Sequence, residues 1–199
     1  GIRGAFRLMT QTPSRKREAA STREDILAAA RRLFTKKGFD ATGVRDIAGE
    51  VGINVALVNR YFGSKEALFE EAVIEQVTVT HLLDEGRDGF GERMVRYMGT
   101  KDLAPDTLDQ TLVFVRSIAS PTVGSHLKQA LEDRVVTPIA DWLEGENRQQ
   151  RAALIASEII GFDMLRRVAG LSSLDPEHID IVASRLGSTL QAYVDDTTP

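Results

Sequence analysis

Apolar residues recur at intervals of three to four along almost the whole chain, and no stretch of useful length alternates between apolar and polar residues. A period near 3.6 predicts α-helices that bury one face, whereas a half-buried strand needs a period of two. The pattern therefore predicts an all-α chain of about nine helices with short connections. The predicted helices occupy roughly residues 21–37, 43–51, 54–62, 64 to the mid-80s, 91–100, 105–119, 122–144, 147–169 and 176–194.

Start and stop signals flank several of these helices. Ser21 and Glu24 have the spacing of a capping box, which predicts that the first helix begins at Ser21. Gly38 is predicted to end it, since glycine readily takes the left-handed conformation of a C-terminal cap. Ser64 is predicted to cap the fourth helix. Pro138 is predicted to kink the long helix around it, because proline lacks an N–H group and crowds the preceding turn.

The second and third predicted helices have the spacing of a helix-turn-helix. Ala48 is small enough to let the third helix cross closely, and Gly52 suits a tight left-handed turn. Asn54 is predicted to cap the third helix. A rotation of about 100° per residue places four side chains on one face of that helix. These are Val55, Ala56, Asn59 and Arg60. The helix is therefore predicted to read the major groove of double-stranded DNA, although a solvated polar face is the simpler alternative.

The fourth predicted helix restarts directly after the third, at Gly63-Ser64-Lys65. Its N-terminus offers free N–H groups and the positive end of the helix dipole, and the Tyr61 hydroxyl is close in sequence. We expect this corner to bind a backbone phosphate of DNA, which fixes register without reading bases.

Charge is divided unevenly along the chain. Residues 1–65 contain 13 Lys and Arg against 6 Asp and Glu, a net charge of +7. Residues 66–199 contain 12 against 23, a net charge of −11. A basic N-terminal part suits a polyanion such as DNA, although a solvated basic surface gives the same count. Arg15, Lys16 and Arg17 are either part of a disordered tail or an arm that follows the minor groove.

Residue types and motifs that are absent from the sequence exclude several kinds of site and function. Cysteine is absent, which excludes disulfides and thiolate metal sites and fits a reducing compartment such as the cytoplasm. No stretch reaches the ~18 apolar residues of a membrane span. His81, His126 and His178 share no ligand spacing, so neither a metal nor a cofactor is predicted. Nucleophile-elbow, HExxH and Walker motifs are all missing, so no catalytic residue and no enzyme are predicted.

The motifs of residues 21–69 resemble the DNA-binding domain of the tetracycline-repressor (TetR) family of bacterial transcription regulators. The resemblance is carried by the stretches ILAAARRLFTKKGFDATGVRDIAGEVGIN and VALVNRYFGSKEALF. It implies a homodimer, an inverted-repeat operator and a variable C-terminal ligand domain. We accordingly expect a helix-turn-helix domain at 21–66 and a ligand-binding and dimerisation domain at 67–196. Residues 1–20 are expected to be a flexible basic arm, and the opening Gly1 leaves open whether its first eight residues are native or a cloning remnant.

The same resemblance assigns roles to single residues. Arg45 falls at a base-reading position, as do Val55, Ala56 and Asn59. Tyr61 and Lys65 fall at phosphate positions, and Arg60 suits either role. Asn54 and Ser64, the two predicted N-caps, complete the expected DNA-binding set. Asn59 stands where tyrosine is frequent in the family, which leaves the operator sequence open.

An apolar effector is expected to bind in the C-terminal domain, unless the same residues simply close the core. The candidate lining consists of Met94, Met98, Val113, Phe114, Phe162 and Met164, with Arg116 or His126 as a polar anchor. The fourth helix is expected to link this site to the phosphate-binding corner as one rigid lever.

Small residues suggest how two copies associate. Ala153, Ser157 and Gly161 recur every four residues, and Ala183 and Gly187 repeat the device in the last helix. We expect the last two helices of each copy to form an intermolecular four-helix bundle, and the less favoured alternative is that the same faces are buried inside one chain. The expected interface consists of Ala153, Ser157, Gly161, Val182, Leu186 and Leu190.

Together with these patterns, the resemblance implies a ligand-responsive, repressing transcription regulator. The alternative is an architectural DNA-binding protein with little sequence preference and no small-molecule ligand.

Overall fold

The computed structural model describes residues 15–101 and 107–196, with side chains from Glu18 onward. These ranges form helices and contain no strand. The α-helices are α1 (Arg15–Lys37), α2 (Val44–Val51), α3 (Val55–Phe62), α4 (Lys65–Ala72), α5 (Thr80–Leu83), α6 (Phe90–Thr100), α7 (Gln110–Ser117), α8 (Gly124–Leu131), α9 (Thr137–Trp142), α10 (Arg148–Asp163) and α11 (Ile179–Asp195). Counting α8 and α9 as one interrupted helix, and leaving aside the one-turn α5, nine helices remain in the described ranges. The predicted all-α class is confirmed.

Helices α1 to α4 surround the first of two hydrophobic clusters. Phe34 of α1, Phe39 after it and Phe69 of α4 are all buried, and both other rings meet Phe69 edge-on at centroid distances of 4.9 and 5.1 Å. The cluster continues into α7 and α8 through Val113 and Leu127. Continuous apolar packing, and not only the linking chain, therefore holds the helix-turn-helix on the C-terminal helices.

The first helix begins earlier than predicted. Because α1 starts at Arg15, Ser21 lies inside the helix, and the predicted capping box is wrong. Glu24 instead pairs with Arg31, two turns further along the same face of α1, at 3.0 Å. Residues 15–20 are Arg, Lys, Glu and Ala, which extend a helix readily and carry it past a residue that would otherwise cap it. Residues 1–14 of the predicted arm lie outside the described residues.

The fourth helix is shorter than predicted. It ends at Ala72, a 3₁₀ turn covers Ile74–Gln76, and Val77 is extended. Six of the eight residues from 73 to 80 are β-branched, which lowers helix propensity over this stretch. The predicted continuous lever from Ser64 to the mid-80s is therefore wrong.

Helices α6 and α11 pack with their backbones in close approach. A Cβ on Gly91 would lie only 2.0 Å from the carbonyl oxygen of Gly187. The Gln191 side-chain oxygen accepts the Gly91 N–H at 3.1 Å. Ala183 is also buried in this packing. The small residues of α11 thus serve contacts within one chain, and the prediction that they repeat a stripe for dimerisation is wrong.

Two helices contain π-helical turns. One, at Glu132–Val136, joins α8 to α9 just before Pro138, as expected where proline cannot continue the hydrogen-bond ladder. The other, at Met164–Val168, ends α10. The second hydrophobic cluster lies among α6, α9, α10 and α11. No helix within the described ranges is long and apolar enough to cross a membrane.

Candidate DNA-binding surface and effector cavity

The start of α2 is fixed by a carboxylate. The Gly43 N–H donates to the Asp46 carboxylate at 3.2 Å, and Lys37 Nζ lies 3.3 Å from the same oxygen. The Gly43 hydrogen bond and, after it, the Lys37 ammonium lower the pKa of the Asp46 carboxyl. A negative charge in the first turn also suits the positive end of the helix dipole.

The turn between α2 and α3 has the conformation that the sequence predicts. Gly52 ends α2 with φ at +79°, and its N–H donates to the Ala48 carbonyl at 2.9 Å. The Asn54 side-chain oxygen accepts the Ala56 N–H at 2.8 Å, so Asn54 caps α3. Local hydrogen bonds therefore set the angle at which α3 leaves α2.

Helix α3 presents a mixed polar face to solvent. Ala56, Asn59 and Arg60 are exposed, whereas Val58 is buried on the opposite side. Val55 is half-buried and packs against the first hydrophobic cluster, so it is less accessible than the other three. The dimensions of an α-helix with a polar exposed face match the major groove of DNA.

The polar groups on this face are not used by the protein itself. The side chains of Arg45, Asn59 and Arg60 have no hydrogen-bond or ion-pair partner among the described residues. The other arginines with described side chains in α1 to α3 each pair with a carboxylate; these are Arg23, Arg31 and Arg32. One amide and two guanidinium groups are thus available to base edges and phosphates.

Lys65 is held inside the domain, a contact that was not predicted from the sequence. Its Nζ donates to the carbonyl oxygens of Phe39 and Thr42, each at 2.9 Å, and lies 4.0 Å from the Phe39 ring centroid. Ser64 caps α4, because its hydroxyl accepts the Ala67 N–H at 3.0 Å. Lys65 therefore fixes α4 against the turn after α1, and one of its three N–H donors remains for a phosphate.

The end of α3 rests on α1. The Arg23 guanidinium lies 4.9 Å from the Phe62 ring centroid and pairs with Glu71 at 2.5 Å. Tyr61 is half-buried beside Phe62. These contacts fix the end of α3 against α1.

A cavity of about 170 Å³ lies among the C-terminal helices. Four predicted lining residues are on its wall: Met94, Met98, Val113 and Phe114. Most of the remaining wall is aliphatic or aromatic, as is usual for small-molecule sites. A cavity near this size holds a molecule about as large as benzene.

Neither predicted polar anchor reaches the cavity. Arg116 Nη1 donates to the carbonyl oxygens of Thr35 and Lys36 at the end of α1, where the helix dipole is negative. The adjacent Ser117 hydroxyl accepts the Phe39 N–H at 3.1 Å in a buried setting. The placement of Arg116 as an anchor is therefore wrong, and its real position joins α7 to α1.

Three other predicted lining residues also lie away from the cavity wall. His126 is exposed, with Nδ1 3.7 Å from a Glu70 carboxylate oxygen, because its side of α8 faces α4. Phe162 is buried beside Gly99 in the second hydrophobic cluster. Met164 is half-buried in the π-helical turn. Asp163, between these last two, turns toward the cavity instead.

A buried charged network stands on the cavity wall, and it was not predicted from the sequence. Arg167 donates from Nε and Nη2 to Asp163, and from Nη1 and Nη2 to Asp109 at 2.5 and 2.9 Å. Hydrogen bonds to the Asp163 carboxylate, in particular, raise the pKa of the Arg167 guanidinium. Asp109 also caps α7, since it accepts the Leu112 N–H at 2.9 Å. The i, i+4 spacing of Asp163 and Arg167 in an apolar helix was the available signal.

The predicted dimer residues of α10 are accessible. Ala153 and Ser157 are exposed, and a Cβ on Gly161 would have no neighbour within 4 Å. Leu154 and Leu165 beside them are 45% and 41% exposed. An apolar face with small residues is therefore open on α10.

The predicted residues of α11 are less accessible. Val182 and Leu186 are half-buried against the second hydrophobic cluster. Leu190 is wholly buried inside its own chain, because its side of α11 faces α6 and α10. Its placement in an interface is therefore wrong.

Among the described residues, no group of three or more His, Asp or Glu could hold a metal ion.

A capped helix-turn-helix on a larger helical body defines the class of helix-turn-helix transcription regulators. The family described as "Bacterial regulatory proteins, tetR family" matches residues 26–72, and "Tetracyclin repressor-like, C-terminal domain" matches residues 88–194. The chain belongs to the TetR family of transcriptional regulators. The expected family is confirmed.

Curated relatives and solved structures agree with this family. The chain is 30% identical over 148 residues to the repressor KstR2 of Mycolicibacterium smegmatis, covering 70% of this chain and 63% of that protein. It is 44% identical over 55 residues to the probable regulator YttP of Bacillus subtilis, of which the match spans only 27%.

A TetR-family regulator from Streptomyces coelicolor A3 is 32% identical with a TM-score of 0.56, covering 94% of this chain and 99% of that one. NalD, the secondary repressor of the MexAB-OprM multidrug efflux pump in Pseudomonas aeruginosa, is 20% identical with a TM-score of 0.63, covering 89% and 99%. NalD shares the fold.

Proposed function

We propose that the chain is a ligand-responsive transcriptional repressor that binds an inverted-repeat DNA operator as a homodimer in the bacterial cytoplasm. The observation that carries this proposal is the surface of α2 and α3. The side chains of Arg45, Asn59 and Arg60 are exposed there without a partner among the described residues, on a helix-turn-helix whose helix ends are capped. The division into a DNA-binding domain near residues 21–66 and a ligand-binding domain near 67–196 belongs to the same proposal.

The DNA-binding residues divide into two roles. Asn59 contacts a base edge, because an amide can bind adenine with two hydrogen bonds, and Ala56 leaves room for the approach. Arg45 and Arg60 contact a base or a phosphate. Lys65 and Tyr61 contact phosphates beside the start of α4 and fix the register of α3.

The homodimer forms through the open face of α10. Ala153, Ser157 and Gly161 allow a second helix to approach closely, and Leu154 and Leu165 supply apolar area beside them. A twofold arrangement of this face brings two copies of α3 to the two halves of a symmetric operator.

The effector site is the cavity beside α7, and α7 transmits the binding of a ligand there to the DNA-binding helices. Val113 and Phe114 of α7 line the cavity, while Arg116 and Ser117 bond to the end of α1 and the turn after it. A shift of α7 therefore reaches the start of α2 through hydrogen bonds, without the long fourth helix that is absent here.

Selection of bound DNA from a random pool tests the proposal. We expect one salt-sensitive, inverted-repeat consensus, a footprint on that sequence, and its release by a small molecule found by screening. An architectural protein would instead yield no consensus, and that result would contradict the proposal.

A further inference from the structure

The charged network on the cavity wall has more unused acceptors than unused donors. Arg167 directs four of its five N–H groups at Asp163 and Asp109, so one remains. The two carboxylates have four oxygens with about two acceptor positions each. The Arg167 bonds and the Leu112 N–H occupy five of these positions, which leaves about three.

The network also carries a net negative charge. Two carboxylates face one guanidinium, so the sum is −1, and Asp163 is wholly buried. Asp163 and Arg167 both line the cavity. A residual charge away from water is unfavourable until a group of opposite charge pairs with it.

Lys101 is a second cationic side chain among the described residues of the cavity wall, and it is half-buried beside an exposed ring. Its Nζ is 5.5 Å from the ring centroid of Tyr97, and Tyr97 is 41% exposed. Water screens this ammonium more strongly than it screens the buried carboxylate of Asp163. Lys101 therefore cancels only a small part of the negative charge at the buried side.

We propose that the effector is a compact apolar molecule with one protonated amine. This inference rests on the proposed function of the cavity as the effector site. The ammonium donates to free acceptor positions of Asp163, and the apolar body lies against Met94, Val113 and Phe114. A carboxylate effector would bring a third negative charge to the network and would find a single free N–H there.

An amine in this position also has a route to α7. The ammonium, bound at the free positions of Asp163, shares the negative charge that holds Arg167, which weakens the pairing of Arg167 with Asp163. Asp109 caps the first turn of α7 and ties it to the end of α10. Weaker pairing of Arg167 with Asp163 therefore frees α7 to shift against α1.

Three probes of equal shape test the charge of the ligand. Benzylamine, benzyl alcohol and benzoate share one ring and one substituent carbon, and differ mainly in charge. Binding is measured by calorimetry and by the fluorescence of Trp142, the single tryptophan, whose ring lies 5.0 Å from that of Phe90 on the cavity wall. We expect benzylamine to bind at least about tenfold more tightly than benzyl alcohol, and benzoate most weakly.

Two variants locate the effect. Asp163→Asn removes the charge at nearly constant shape, and benzylamine should then bind no better than benzyl alcohol. Lys101→Gln removes the competing cation and should tighten benzylamine binding by about twofold to fivefold, a gain that misfolding cannot produce. If Asp163→Asn does not fold, Lys101→Gln decides the question.

Tighter binding of benzoate than of benzylamine, or weaker benzylamine binding in Lys101→Gln, would overturn the amine proposal. Equal binding of all three probes would overturn it as well, while leaving the cavity as a small-molecule site. Binding of none of them at about 10 mM would reject both the amine and the cavity as the effector site. The DNA selection measures operator binding and does not depend on these ligand measurements. Failure of the amine proposal can therefore be told apart from failure of the proposed function.

Discussion

At the scale of single residues, what matters is which polar groups the fold already uses. Lys65 and Asn59 are both polar and lie close together in the sequence. The Lys65 ammonium donates to the carbonyls of Phe39 and Thr42, whereas the Asn59 side chain has no partner among the described residues. The exposed face of α3 could be predicted from the helical period, since every residue turns by a fixed angle. The partners of Lys65 could not, because they come from a turn 23 to 26 residues away.

Asn59→Ala should weaken binding to the selected operator by ~1–3 kcal/mol and relax the preference at one base pair. The reason is the loss of an amide that can make two hydrogen bonds to a base. Affinity and consensus are measured by repeating the DNA selection with the variant. Gln129→Ala, an exposed amide on α8, serves as the control and should change neither quantity. An unchanged consensus in Asn59→Ala would remove α3 from the reading role.

Lys65→Ala should lower the free energy of unfolding by about 1.5–3 kcal/mol, because two carbonyls lose a charged donor. It should also weaken binding to all DNA sequences alike and lower the salt slope by about one unit per subunit. Urea denaturation and salt titration measure the two effects. Lys128→Ala removes an exposed lysine of α8 and should leave stability unchanged. Full stability in Lys65→Ala would contradict the positioning role.

At the scale of helices, the sequence predicts well which segments are helical. It predicts less well where each helix ends and which helix it packs against. The capping of α3 by Asn54 was predictable because it is local. The early end of α4 was not, because its apolar spacing continues past residue 72 while the β-branched residues there favour other conformations. Likewise, small residues at Gly161 and Gly187 look alike in sequence, but only Gly187 is buried against a neighbouring helix.

This difference gives a matched pair of substitutions. Gly91→Ala should destabilise the chain strongly, by about 2 kcal/mol or more, because its Cβ would lie 2.0 Å from the Gly187 oxygen and force α6 away from α11. Gly161→Ala meets nothing within 4 Å, and the better helix propensity of alanine should stabilise a single chain by up to about 1 kcal/mol. Thermal denaturation compares the two. Equal effects of both would contradict the described packing of α6 on α11.

At the scale of the whole molecule, charge and symmetry decide what the chain can bind. The basic N-terminal part and the acidic C-terminal part were evident in the sequence, and they fit one domain on DNA and one away from it. The cavity network of Asp109, Asp163 and Arg167 was not evident, because it joins residues 58 positions apart. The sequence likewise could not show that the small residues of α10 lie on an open face and those of α11 do not, because this difference depends on how α11 packs within the chain.

Gly161→Arg should give monomers and abolish operator binding, because a long charged side chain prevents close approach at the open face of α10. Sedimentation velocity at micromolar concentration measures the association state. Gln129→Arg adds the same charge on α8 and should leave the dimer intact. A folded wild-type monomer at that concentration would contradict dimerisation.

In the proposed complex, two copies of α3 read the two halves of one operator. Fluorescence anisotropy on the selected duplex tests it most directly, with a second duplex whose half-sites are moved apart by half a turn, ~5 base pairs. We predict two chains per duplex, affinity that falls steeply with salt, and loss of tight binding on the second duplex. Equal affinity for both duplexes and for random DNA would contradict the claim.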